Sequence, residues 1–215
     1  CNRRIRRATH GRPLRQLLLG GAVLAGLFLL YQPFERYVAY NDYDGYLVHF
    51  DRDDLLAQEL QKGVSPERKT NLLRDSLRLG KTKLVLALLA SGMDVRADLT
   101  NPPSSEPGAP KLSALAMACM YSPQPVIAAI LQRGAEVNEV SSWNQTCLGA
   151  IVEGREMSLH DRGIVETPEA QQELVKLLLA AGADPQVAAP KQDSPLLVAQ
   201  KRAQHLVALL QQGRQ

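Results

Sequence analysis

LLAAGAD, residues Leu178–Asp184, is one of five stretches of this chain built on the same plan. The others are ELQKGVS (Glu59–Ser65), LLASGMD (Leu88–Asp94), ILQRGAE (Ile130–Glu136) and LLQQGRQ (Leu209–Gln215). Each closes an apolar run and sets a glycine just behind it. Self-similarity of this kind is the signature of a repeat array and outranks local readings. Leu174, Val175, Leu178 and Leu179 follow the i, i+1, i+4, i+5 spacing of one helix face, and Leu84, Val85, Leu88 and Leu89 do the same. The glycine then suits the position just past a helix end, where the backbone turns left-handed.

A shorter helical stretch precedes each of these runs. SALAMA (Ser113–Ala118) starts 21 residues before Gly134, and NLLRDS (Asn71–Ser76) starts 21 residues before Gly92. TCLGAI (Thr146–Ile151) and SPLLVA (Ser194–Ala199) open the last two. The pattern resembles the ankyrin family, whose repeat of about 33 residues begins T-P-L-H-x-A. Ser194-Pro195-Leu196 and Ser113-Ala114-Leu115 match that start. Gly182-Ala183-Asp184, Gly134-Ala135-Glu136 and Gly92-Met93-Asp94 match the family's G-A-D ending. The resemblance covers residues 51–215 as four to five repeats and implies an all-α, ankyrin-like helix-pair solenoid. The histidine of the start is replaced throughout, by Arg74, Ala116, Gly149 and Leu197. That departure implies weaker turns between repeats and intact helix stacking. Other helix-pair arrays remain the alternative fold.

The glycines at 63, 92, 134, 182 and 213 lie 29, 42, 48 and 31 residues apart. Two intervals exceed the family period. One excess lies in Val95–Lys111, where the prolines and glycine of Asn101–Pro110 forbid a helix and extend the finger-like connection between the second and third repeats. The other runs from Gly154 to Pro168, inside the fourth repeat. There Thr167 at the N-cap and Pro168 at the first helical position restart the chain as a helix.

Ahead of the repeats, Leu17–Tyr31 is an uninterrupted run of fifteen apolar or small residues. A bilayer core takes roughly 20 residues of helix, and Arg15 can extend the run by snorkelling. Residues 16–34 read as a transmembrane helix, 1–15 as a basic cytoplasmic tail and 35–50 as a tyrosine-rich juxtamembrane segment. A cleaved signal peptide shares the basic start and short apolar run, but Ala39 would place the large Tyr37 three residues before the cut. Six arginines in residues 1–15, with no acid among them, hold that tail inside and send the repeats across. The chain is thus expected to be a single-pass protein of the inner (cytoplasmic) membrane with a periplasmic repeat domain. Tyr31, Tyr37, Tyr40, Tyr43 and Tyr46 suit the membrane–water interface. Gly21 with Ala25, and Ala22 with Gly26, form small-xxx-small pairs that permit a weak homo-oligomer.

The net charge of +3 comes from that tail; the rest of the chain has 19 basic residues against 22 acidic ones and no general attraction for nucleic acid. The four histidines are scattered, and no P-loop, G-x-S-x-G, H-E-x-x-H or G-x-G-x-x-G occurs, so the reading is of a non-enzyme without cofactor or metal. Asp51, Asp53 and Asp54 read as helix-start acids rather than a calcium loop. Of the three cysteines, Cys119 falls late in one first helix and Cys147 at the start of the next. Five positions along a helix is about 7.5 Å, and helices pack about 8–10 Å apart. That exceeds the ~7 Å reach of a disulfide, so two buried thiols are expected.

A solenoid with varied loops suits protein binding. The expected partner is another protein, with the chain acting as an inhibitor, immunity or accessory protein. The alternative is an assembly component that self-associates through its span. Candidate partner-binding residues lie in the insertions and in the finger around the sole tryptophan: Asn101, Ser104, Glu106, Asn138, Trp143, Asn144, His160 and Arg162.

Overall fold

The computed structural model describes residues 42–100, 111–155 and 166–213. The expected span Leu17–Tyr31 and the tail before it lie outside the described residues. Among the described residues no helix is long and apolar enough to cross a membrane. They form ten α-helices and no strand.

The chain divides into two compact units at Tyr46 and Leu47. The described part of the first is Asp42–Tyr46, the opening of helix α1 (Tyr43–His49). Here the Asp42 carboxylate accepts the Gly45 N–H at 2.8 Å, and the rings of Tyr43 and Tyr46 stack with centroids 6.3 Å apart.

The second unit carries α2 (Asp53–Lys62), α3 (Pro66–Arg78), α4 (Thr82–Ala90), α5 (Ala114–Tyr121), α6 (Gln124–Leu131), α7 (Cys147–Glu153), α8 (Pro168–Ala180), α9 (Pro195–Arg202) and α10 (Val207–Gln212). A 3₁₀ turn, Gln204–Leu206, joins the last two. Packing sorts these helices into two rows. In one, α3, α5, α7 and α9 lie side by side; in the other, α2 packs on α4, α4 on α6, and α8 on α10. Each helix of the first row also packs on its successor in the chain, α3 on α4, α5 on α6, α7 on α8 and α9 on α10. The core lies between the rows. Leu84, Val85, Leu88 and Leu89 of α4 are all 1% exposed or less. Leu174, Val175 and Leu178 of α8 are buried as well, while Leu179 is half-buried.

Five helices begin with the same device. The hydroxyls of Ser65, Ser113, Thr146, Thr167 and Ser194 each accept the N–H three residues on, which satisfies one of the orphan donors of a helix start. For α3 this corrects the reading of a start at Asn71. The helix begins at Pro66 because Ser65 caps it, Pro66 is preset for the first turn, and Glu67 complements the N-terminal dipole. The matched spacing to Ser113 passes over that extra length.

Four of the five repeat glycines, Gly63, Gly92, Gly134 and Gly182, have φ between +76° and +92°. At Gly182 the exit is a Schellman motif: Ala183 N–H reaches the Leu178 carbonyl at 2.9 Å and Gly182 N–H that of Leu179 at 3.0 Å. Gly213 departs from the set, with φ −66°, a value open to any residue. A Cβ there would meet Leu179 Cδ2 at 2.7 Å, so this glycine serves close packing rather than a left-handed turn.

The two expected thiols are a disulfide. Cys119 and Cys147 stand 5.5 Å apart at Cα and are joined. Both α5 (ALAMACMY) and α7 (CLGAIVE) are rich in small side chains, Ala, Gly and Cys. Helix separation depends on the side chains at the contact, so this pair approaches within the reach of a disulfide.

Candidate interaction surface

Three connections, between α4 and α5, between α6 and α7 (residues 132–146) and between α8 and α9 (residues 181–194), leave the helix rows as fingers, and the first two are each braced to the one that follows. In the first, whose described residues are 91–100 and 111–113, Asp98 Oδ1 accepts the Thr100 N–H at 2.9 Å and its hydroxyl at 2.6 Å, and the Leu112 N–H at 3.3 Å. Leu99 N–H meets the Leu112 carbonyl at 2.8 Å. These bonds close the stem on either side of 101–110. Burial works against the Asp98 carboxylate, but the Thr100 hydroxyl and the N–H groups of Thr100 and Leu112 outweigh it and hold its pKa below the usual range.

Arg96 of this finger reaches the next, with Nε and a terminal nitrogen donating to the Gly134 carbonyl at 3.0 and 2.9 Å. In the second finger Asn138, four residues past its glycine as Arg96 is, donates to the Gly182 carbonyl at 3.0 Å and accepts the Asp184 N–H at 2.8 Å. Asn144 donates to the Pro190 carbonyl at 3.1 Å. The amides of Asn138 and Asn144 are thus engaged within the array. The brace escapes sequence reasoning because Arg and Asn share no pattern, although both stand four residues past a repeat glycine.

Trp143 lies near the tip of the second finger and is 41% exposed. Its ring meets that of Tyr121, the last residue of α5, edge to face with centroids 5.8 Å apart. The loop under it is held by Ser142 N–H to the Lys111 carbonyl at 2.9 Å and Asn144 N–H to that of Ser141 at 2.8 Å. Asn144 itself takes φ +56°, which asparagine tolerates better than most residues. Asn101, Ser104, Glu106, His160 and Arg162 lie outside the described residues.

The second insertion also has a fastened stem. Arg155, 4% exposed, donates to the Cys119 carbonyl at 3.1 Å and the Ser122 carbonyl at 2.7 Å. Its Nε and a further nitrogen meet Glu166 Oε1 at 2.8 and 2.7 Å, and both side chains of the pair are 5% exposed or less. Composition offers no hint of this pair, since Arg155 and Glu166 read as ordinary loop charges.

Two clefts open beside the rows. One, of about 380 Å³, lies among the ends of α7, α9 and α8, lined by Glu153, Gln171, Arg202 and His205. In it His205 Nε2 stands 2.8 Å from Gln171 Oε1, and Gln171 donates to the Ile151 carbonyl at 2.7 Å. The other, of about 400 Å³, lies beside the start of α3, lined by Val64, Pro66, Lys69 and Met93. Among the described residues no three His, Cys, Asp or Glu side chains gather as a metal site.

Comparison with protein-family models finds no match, and comparison with curated proteins finds none.

Proposed function

We propose that this chain is a membrane-tethered protein-binding module. Its array is ankyrin-like, with four to five helix pairs standing outside the cytoplasm, tethered by Leu17–Tyr31 with the arginine-rich tail inside. It acts as an inhibitor, immunity or accessory protein on a protein of the compartment into which the array projects. The ankyrin reading draws support from the two helix rows, the capped first helices and the left-handed glycines at four repeat ends. The disulfide supports an extracytoplasmic array, because such bonds persist in oxidising compartments.

The observation that carries the binding reading is Trp143. A large aromatic ring braced by Tyr121 and still 41% exposed is a preorganised anchor of the kind that dominates protein interfaces. The test is purification of the full chain in detergent from native membranes, with and without Trp143→Ala. We expect one stoichiometric partner, whose retention falls roughly tenfold or more in the variant, as loss of an aromatic hot spot implies. Recovery of the wild-type chain alone would overturn the binding reading. A partner held equally by both forms would remove Trp143 from the site. Protease added to spheroplasts, whose outer membrane is opened, should digest the array but not the tail; protection of the array there would reverse the topology.

A further inference from the structure

Two links meet on one residue of α5. Cys119 gives its side chain to Cys147 at the start of α7, and its carbonyl to Arg155 just past the end of α7. The second carbonyl that receives Arg155 belongs to Ser122, the C-cap of α5. Both are groups that a helix end leaves without an intrahelical partner. The guanidinium that satisfies them is itself buried, and a buried charge that loses an acceptor carries the full cost of its desolvation. The cage is therefore complete only while the end of α5 keeps its place against α7. Four of the eight residues of α5 and three of the seven of α7 are Ala, Gly or Cys, so the buried Leu115, Met117, Leu148 and Ile151 share this contact with small side chains that add little packing.

We propose that Cys119–Cys147 is a folding-stage latch for the Arg155–Glu166 cage, so that the finished array forms only where a disulfide donor is present. The latch closes by thiol–disulfide exchange with the disulfide of an oxidoreductase. One cysteine thiolate attacks a donor sulfur, the second resolves the mixed disulfide, and the donor leaves as a dithiol carrying the two electrons and two protons. Cys119 and Cys147 end 0% and 4% exposed, so a thiolate reaches them before the helices close and not afterwards. A chain kept reduced still forms its helices, but the acceptors around Arg155 are not held together. The inference stands on the disulfide and the cage and does not depend on the binding reading.

Hydrogen exchange on the full chain in detergent tests it, comparing oxidised protein, protein folded in reductant, and Cys119→Ala/Cys147→Ala. In both disulfide-free forms, peptides covering 119–123, 153–155 and 166–168 should gain roughly tenfold more exchange than 84–89 and 196–199 do, as expected for local opening on top of the general loss of stability. Equal protection at 119–123 and 166–168 in all three forms would overturn the coupling. A uniform rise along the array would reduce the bond to a general staple and overturn it too. Arg155→Met/Glu166→Leu, oxidised, supplies the second variant: its disulfide should form fully, and reduction should add no further exchange at 166–168. Continued acceleration there would show that the bond acts by another route. Finally, a small dithiol should reduce the folded wild type only once denaturant is added. Rapid reduction under native conditions would overturn the folding-stage order.

Discussion

Arg155 is a guanidinium with five N–H donors and almost no water to offer them to. Glu166 and two helix-end carbonyls take that role, and the pair behaves as a unit. Arg155→Met or Glu166→Gln alone should cost about 3–5 kcal/mol, because each strands a buried polar partner. The double variant Arg155→Met/Glu166→Leu should cost well below the sum, which a urea-unfolding double-mutant cycle measures. Asp98 gives a pH-dependent counterpart. Its folded pKa lies below the ordinary aspartate value of 3.8, so its contribution is complete above about pH 4 and is lost as pH falls through the folded pKa. Carboxyl NMR titration should place the Asp98 midpoint below that of an unfolded-chain aspartate, and Asp98→Asn should flatten the acid loss of stability in the first finger. Neither residue announces itself in the chain. Asp98 and Leu112 are 14 positions apart and Arg155 and Cys119 are 36 apart, so only folding brings them together.

The helices were far more legible than these contacts, because period and caps are local. Leu84 to Leu89 and Leu174 to Leu178 spell out their buried faces, and Thr167-Pro168 marks the start of α8 where it occurs. Two boundaries were not legible. The start of α3 at Ser65 was hidden by equal spacing to a shorter helix. Gly213 shares its sequence context with Gly182 but not its backbone, since its neighbour is the Leu179 side chain. Substitution separates the two kinds of glycine. Gly182→Ala should cost about 1–2 kcal/mol, the price of a left-handed residue with a Cβ. In Gly213→Ala the backbone is unstrained, and any cost is confined to moving the end of Leu179. Urea midpoints of the two variants should therefore differ, with Gly182→Ala the less stable.

Across the whole molecule the disulfide is the longest-range covalent constraint described, tying positions 28 apart. A chain-entropy estimate for a loop of that size is about 3.5 kcal/mol, and Cys119→Ala/Cys147→Ala should lose on that order in urea unfolding. In denaturant without reductant the oxidised chain, with three cysteines in all, should titrate one free thiol, and three after reduction. Two or three thiols before reduction would contradict the bond. The all-helical class, the apolar faces and the helix ends marked by a capping hydroxyl or a glycine follow from the sequence, because these rest on interactions within a few residues of one another. Tertiary structure alone decided the pairing of the cysteines, the braces between fingers, the seat of Trp143 on Tyr121 and the burial of Arg155 with Glu166. Each depends on how closely two helices approach and how far one slides past the other, and side-chain volumes at the contact set those distances only after the rows are packed.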